Sequence, residues 1–292
     1  MNKPEAAAKS ASLVLGIGLG LTLGIYFKTT THLDWQWPYP VIISISRLCA
    51  LVGTYLALVG LVMVSRISWI EKAVGHDRLI FWHRKLGPYS LLLIGFHVLL
   101  VSLGYAGNDG SRVGGELWKF TWTYDWMLAA TVGFFFFVTA GITSYKKVRA
   151  KMSYETWWTV HLYTYLAIAL SFMHQIRTGP MFLTHPLNKL YWEGLYILAA
   201  AIILYWRFVI PIFRFFKHDL RIYKIVDEGA GMDSLVMRGH NLDRMKAQGG
   251  QFFSWRFVTP GHMWVASVTA YIRFNDDSDW RKCEADPRLG RT

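Results

Sequence analysis

The chain has 292 residues, 53% hydrophobic and 16% aromatic, with positive mean hydropathy and a net charge of +12, which marks a membrane protein rather than a soluble enzyme. The basic excess lies in short loops between apolar runs, where it sets topology, and this argues against nucleic acid as a partner. With only Cys49 and Cys283 available, neither a disulfide framework nor a thiolate metal site is indicated.

In chain order, Lys3 and Lys9 precede an apolar run at 11–27 that no small-x-small cleavage site follows, so it reads as a retained first span. Further apolar segments at roughly 41–64, 86–104, 126–144, 157–174 and 191–213 predict an all-α membrane protein, a six-helix transmembrane bundle. The 65–85 loop carries Arg66, Lys72, Arg78, Arg84 and Lys85, and the 145–156 loop carries Lys146, Lys147, Arg149 and Lys151, whereas the alternate loops are poor in Lys and Arg. This asymmetry predicts a multi-pass cell-membrane protein, in contact with lipid, with both termini cytoplasmic. Aromatic clusters at Trp35, Trp37 and Tyr39, at Trp122, Tyr124 and Trp126, and at Trp157 and Trp158 read as interfacial anchors.

After Pro211 the pattern changes. The alternating segment 220–226 and its hairpin partner 234–239 precede a third strand at 251–258, predicting a short cytoplasmic β-rich tail. The expected division is a membrane domain over 1–213, a β-rich segment over 214–264, and a divergent or disordered tail over 265–292.

The candidate site consists of four histidines in two hydrophobic stretches. His83 and His97 are 14 residues apart, and His161 and His174 are 13 apart. At a rise of ~1.5 Å per residue either gap covers ~20 Å, placing one histidine near each face of the hydrocarbon core. With both termini inside, the third and fifth spans run the same way, so His83 is level with His161 and His97 with His174. Intramembrane ionisable residues are expensive and are functional hypotheses by default. Two imidazoles across an apolar gap suit haem b, with one axial nitrogen on each side of the iron, whereas zinc or copper wants three or four ligands at one point. Two haems in series make a transmembrane electron wire. One spacing fits imperfectly: at ~100° per residue, 14 positions return to within ~40° of the starting face, but 13 leave the second histidine ~140° away. Arg47, in the outer half of the second span, is either a snorkelling arginine or a counter-charge for the outer haem's propionates, and Arg84 has the same two readings inside. No catalytic side chain is assigned.

Six spans with histidines at 83, 97, 161 and 174 resemble the ferric reductase-like transmembrane superfamily, which includes NADPH oxidases and metalloreductases. The stretches His76-Asp77-Arg78-Leu79 with Trp82-His83-Arg84, Tyr154-Glu155-Thr156-Trp157 with His161-Leu162-Tyr163, and Gly250-Gln251-Phe252-Phe253-Ser254-Trp255-Arg256-Phe257 look like its bacterial ferredoxin-reductase-type members. The resemblance spans roughly residues 40–264. It implies an oxidoreductase in which a cytoplasmic NAD(P)H and FAD module passes electrons to an inner haem on His83 and His161, then to an outer haem on His97 and His174, then to an extracytoplasmic acceptor such as ferric iron or oxygen. The flavin is implied because nicotinamide gives a two-electron hydride while each haem takes one electron.

Two departures qualify this. Superoxide-producing relatives carry another histidine one turn past the outer ligand of the third span, where this chain has Val101. Relatives also follow the Gly-Gln-Phe strand with a flavin motif, whereas this chain reads Val265-Ala266-Ser267-Val268-Thr269. The expectation is therefore an incomplete FAD-binding barrel, without the phosphate-cradling Gly-x-Gly loop of a nucleotide domain in 214–292. The alternatives are a haem-binding membrane subunit or truncated product without its own turnover, and, more distantly, a transporter using polar intramembrane histidines.

Overall fold

The computed structural model describes residues 3–229, 232–242, 252–256, 267–274 and 281–285, and it divides into two compact units, Met1–Arg207 and Phe208–Thr292. The first unit contains α1 (Lys3–Thr29), α2 (Tyr39–Met63), α3 (Ser68–Val74), α4 (His76–Asp109), α5 (Val113–Thr123), α6 (Met127–Ser144), α7 (Lys146–Arg149), α8 (Tyr154–Leu170), α9 (Phe172–Thr178), α10 (Pro180–Leu183) and α11 (Pro186–Leu204). A π-helical turn, Tyr205–Val209, follows, and α12 (Ile210–His218) opens the second unit.

Among the described residues five helices are long and apolar enough to cross a membrane: Ala8–Thr29, Tyr39–Met63, His76–Asp109, Met127–Ser144 and Pro186–His218. Backbone that enters hydrocarbon has no water to bond to, so each apolar run closes its own hydrogen bonds as helix. Two features differ from the apolar segmentation. First, α4 begins at His76, ahead of the apolar run, and carries the charged stretch with Arg78, Arg84 and Lys85 in helical form, because charge marks where hydrocarbon ends and not where a helix ends. Second, the run at 157–174 is not one helix. The 17-residue α8 stops at Leu170, Ser171 forms a turn, and α9 restarts at Phe172.

The pairing of α2 with α4 rests on small residues. Ser44, Ser46, Gly53 and Gly60 of α2 are buried, as are Ser90, Ser102 and Gly104 of α4. A Cβ on Gly53 would lie 3.0 Å from Ile94 Cγ1, 3.1 Å from Leu93 Cβ and 3.2 Å from the Ile94 backbone nitrogen, and one on Gly104 would collide with Ile43. Where lipid is as apolar as leucine, close approach of this kind is what holds helices together. In the same way α6 meets α8 at Gly133, whose added Cβ would sit 2.8 Å from the Ala167 carbonyl oxygen. A buried cluster of Ile25, Tyr26, Leu51, Ile176, Met181, Phe182 and Trp192 ties α1 and α2 to the segment from α9 to α11.

In the second unit β1 (Arg221–Gly229) pairs antiparallel with β2 (Met232–Arg238) in the register Arg221 with Arg238 and Ile225 with Leu235. β3 (Phe252–Arg256), β4 (Ser267–Phe274) and β5 (Arg281–Ala285) complete an antiparallel sheet of order β1-β2-β5-β4-β3. Within the stretch 265–292, expected from sequence to be a divergent or disordered tail, the described residues 267–274 and 281–285 are strands. Of the third strand expected at 251–258, residues 251, 257 and 258 lie outside the described residues, as do 250 and 261–266, which bear on the flavin-motif comparison.

Candidate cofactor-binding site

His83 and His97 project from α4 onto α2, and both are anchored there through Nδ1. His83 Nδ1–H donates to the Gly60 carbonyl oxygen at 3.1 Å and His97 Nδ1–H to the Ser46 carbonyl oxygen at 3.1 Å, with Ser46 Oγ a further 3.3 Å contact. Midway between them Ser90 Oγ donates to the Gly53 carbonyl oxygen at 2.7 Å. The three donors recur every seven residues along α4, and the three acceptors recur every seven residues, in the opposite direction, along α2. A heptad keeps its members on one face of two slowly coiling helices, so a single antiparallel seam holds both histidines.

Those bonds settle the tautomer. A carbonyl oxygen only accepts, so Nδ1 carries the hydrogen in both rings, and in the neutral imidazole Nε2 keeps its lone pair. An outer partner on one ring nitrogen that leaves the other as a donor to metal is the usual arrangement of a ligating histidine.

The structure brings His83 and His161 together, with ring centroids 6.1 Å apart and planes at 86°. Two imidazoles bound through nitrogen on opposite sides of one metal, with bonds of ~2.0 Å, have centroids about 6.3 Å apart. The observed centroid separation is close to that value. His161 is held from its own side: its Nδ1 lies 3.2 Å from Ser144 Oγ, which also accepts from Trp157 Nε1 at 3.1 Å. The Trp157 ring stacks on His161 at 5.2 Å and 20°, and the Arg149 guanidinium lies 4.7 Å from the Trp157 centroid.

At the other level His174 interacts electrostatically with His97. The break at Ser171 falls between His161 and His174, so the ideal-helix rotation of ~140° does not apply across that interval. Gln175 stabilises the break. Its Nε2 donates to the Ser171 carbonyl oxygen and to Tyr196 Oη, both at 2.9 Å, and its Oε1 accepts from the fully buried Trp192 Nε1 at 2.7 Å. His174 Nδ1 is buried without a hydrogen-bond partner. All four histidines are half-buried as residues. No group of three or more His, Cys, Asp or Glu able to hold a metal ion occurs among the described residues. The His83 and His161 pair, with two imidazoles and no further donor, suits a metal whose remaining ligands come from a macrocycle better than a bare ion.

Arg47 is already paired: its Nη1 lies 2.8 Å from Asp34 Oδ1, while the Thr31 amide and hydroxyl both donate to Asp34 Oδ2 at 2.9 Å. Partial burial works against ionisation of Asp34, but the Thr31 donors and the Arg47 charge outweigh it and hold the carboxyl below its usual range. Arg84 is exposed. Of the histidines outside the spans' centres, His76 pairs with Glu71 at 3.0 Å, and His218 donates through Nδ1 to the His240 carbonyl oxygen at 3.1 Å.

The sequence reading missed Ser46, Gly60, Ser90, Ser144, Trp157 and Gln175 as parts of the site. The spacing His83, Ser90, His97 was a visible signal, and so was the i, i+4 relation of Trp157 to His161, which puts them on one helix face. The acceptors on α2 are backbone carbonyls, which no residue type announces.

Residues 49–172 match the family described as the ferric reductase like transmembrane component. The matched segment runs from α2 to the start of α9 and contains His83, His97 and His161, ending two residues before His174. No curated protein matches the chain.

Proposed function

We propose, from the ferric reductase like transmembrane domain carried by residues 49–172, that the chain moves electrons across the membrane through two bis-histidine b-type haems, from a cytoplasmic NAD(P)H and flavin donor to an acceptor outside. The observation that carries this reading is the approach of His83 and His161 to 6.1 Å between ring centroids, with the α4 histidines fixed through Nδ1 to α2 carbonyls. In this reading α8 and α9 together form a sixth span, the basic loops are cytoplasmic, and the antiparallel sheet of the second unit belongs to a flavin-binding barrel of the ferredoxin-reductase type.

Haem held by His83 and His161, and by His97 and His174, would supply reversible one-electron chemistry. The protein's part is orientation and tuning. Gly60 and Ser46 hold the α4 rings with Nε2 presented, while Ser144 and Trp157 hold His161. Hydrogen bonds from Nδ1–H make an imidazole a stronger donor and favour the oxidised iron. Arg47 supplies positive charge on the outer side for the propionates, and Arg84 does so on the inner side. Pairing with Asp34 keeps Arg47 in place and reduces the cost of its charge in the span.

An absorption spectrum of the purified protein tests the reading: a sharp α band on dithionite reduction is expected, and its absence would leave only a transporter or scaffold. Adding NADH and FAD then separates an enzyme from a haem-binding subunit without turnover, because only the enzyme would develop the reduced band without a second protein.

A further inference from the structure

The helix that opens the second unit keeps its aromatic side chains uncovered. Ile212, Phe213, Phe215 and Phe216 of α12 are all exposed, Phe216 at 76%. At ~100° per residue they fall within an arc of ~160°, and Arg214 and Lys217 fall together on the opposite side. Aromatic residues on one face and basic residues on the other are the pattern of a helix lying at a membrane interface, its apolar face among the acyl chains. The course of the chain agrees with that. The apolar helical run Pro186–His218 has 33 residues, which give ~50 Å of helix against a hydrocarbon core of ~30 Å and leave length for an interfacial segment. It ends in Arg214, Lys217 and His218, where charge marks the passage from hydrocarbon to headgroups.

The sheet extends the basic surface. His218 Nδ1–H donates to the His240 carbonyl oxygen at 3.1 Å and the His240 amide donates to the His218 carbonyl oxygen at 2.7 Å, so the C-terminus of α12 is fixed to the open end of the β1–β2 hairpin. At that end Arg221, Lys224 and Arg238 are exposed, and Arg221 stands directly opposite Arg238 in the register. Like charges in that position disfavour pairing, and an anion shared between them removes the cost. Arg221 is offset in part by Asp219 at 3.0 Å, while the Arg238 guanidinium lies 3.5 Å from the Tyr223 ring centroid. The acidic residues Asp227, Glu228 and Asp233 fall at the other end of the hairpin, ~20 Å along the strands. The charge is thus divided along the hairpin, basic beside α12 and acidic away from it.

We infer that α12 and the open end of the hairpin form a binding surface for anionic phospholipid in the leaflet where α12 emerges, with Ile212, Phe213, Phe215 and Phe216 among the acyl chains and Arg214, Lys217, Arg221 and Arg238 on the phosphates. The lipid anchors the sheet by its basic end and leaves the acidic end of the hairpin turned from the bilayer. This needs only that the run Pro186–His218 crosses a membrane, and it does not depend on the haem reading.

Full-length protein taken from nanodiscs of mixed phosphatidylcholine and phosphatidylglycerol, with its retained lipids counted by native mass spectrometry, tests the headgroup contact. Wild type is expected to retain phosphatidylglycerol in preference to phosphatidylcholine. A basic residue near an anionic surface is worth about fivefold in binding, so the double variant Arg214→Gln with Lys217→Gln should lower that preference at least fivefold, while the charge-conserving Arg214→Lys should keep it. An undiminished preference in the double variant would overturn the inference. The apolar face is tested by a nitroxide attached through Phe216→Cys in full-length protein carrying Cys49→Ser and Cys283→Ser. In nanodiscs the label is expected to be shielded from a water-soluble nickel reagent and reached by oxygen. A label open to the nickel reagent would overturn the inference, and so would dipolar broadening between labels, which would put a second copy of the chain on this face. None of these failures touches the electron-transfer reading, which is tested by the haem spectrum.

Discussion

Gly53→Ala strikes the middle of the seam between α2 and α4. The added Cβ would sit 3.0–3.2 Å from Ile94 Cγ1, Leu93 Cβ and the Ile94 backbone nitrogen. The Ile94 side chain can change rotamer, but its backbone nitrogen moves only if α4 moves. A displacement of a few tenths of an ångström would lengthen the bonds from His83 and His97 from 3.1 Å towards the limit at which they cease to be hydrogen bonds. Overpacking of this kind costs about 1–3 kcal/mol of stability. A hydrogen bond is worth about 0.5–1.5 kcal/mol net. If that energy favours the oxidised state, and about 1.4 kcal/mol corresponds to about 59 mV for one electron, losing it raises a midpoint potential by about 20–60 mV. Because Gly53 lies seven residues from each acceptor, both potentials should rise together. A potentiometric titration of the α band in wild type and variant measures this. A variant with full haem content and both potentials unmoved would refute the claim that the seam sets the ligands, and a shift in only one would refute its symmetry.

Ser144→Ala removes the partner of His161 Nδ1 and the acceptor of the Trp157 N–H, and is expected to raise the potential of a single haem by about 20–60 mV, the same component that His83→Ala removes. Movement of the component removed by His97→Ala would contradict the inner placement of His161. Asp34→Asn breaks the ion pair with Arg47 and should lower thermal stability at neutral pH by about 1 kcal/mol. Since folding depresses the Asp34 carboxyl, its contribution is full above the unfolded carboxylate range and is lost as pH falls through the folded value. The gap between the melting curves of wild type and Asp34→Asn in detergent should therefore close on acidification below about pH 4, and a gap that widens there would reverse the sign of the argument.

Hydropathy located the apolar runs well because lipid leaves a buried backbone few options, and the positions of α2 and α6 follow the apolar runs closely. It misjudged α4 at its start, where charge hides a helix that begins at His76, and it merged α8 with α9, because Ser171 is one small residue in an apolar run and carries no breaker signal. The histidines themselves were legible as rare polar residues in apolar runs, and the structure brings His83 and His161 together. Their supports were legible only in part: Ser90 repeats with the histidines, whereas Gly60 and Gly53 act through their carbonyls. In the second unit the first hairpin was visible in the alternation of 220–226, but β4 and β5 reach the sheet by long-range pairing that local pattern does not specify.

The central claim, two haems each shared between α4 and the α8–α9 segment, is tested most directly by haem content and redox titration of the four single alanine variants of His83, His161, His97 and His174. Wild type should hold two haems per chain with two resolved potentials. His83→Ala and His161→Ala should perturb one and the same component, and His97→Ala and His174→Ala the other. If His83→Ala and His97→Ala instead disturbed the same component, the ligands would pair along α4 and not across the bundle, and the account would be wrong.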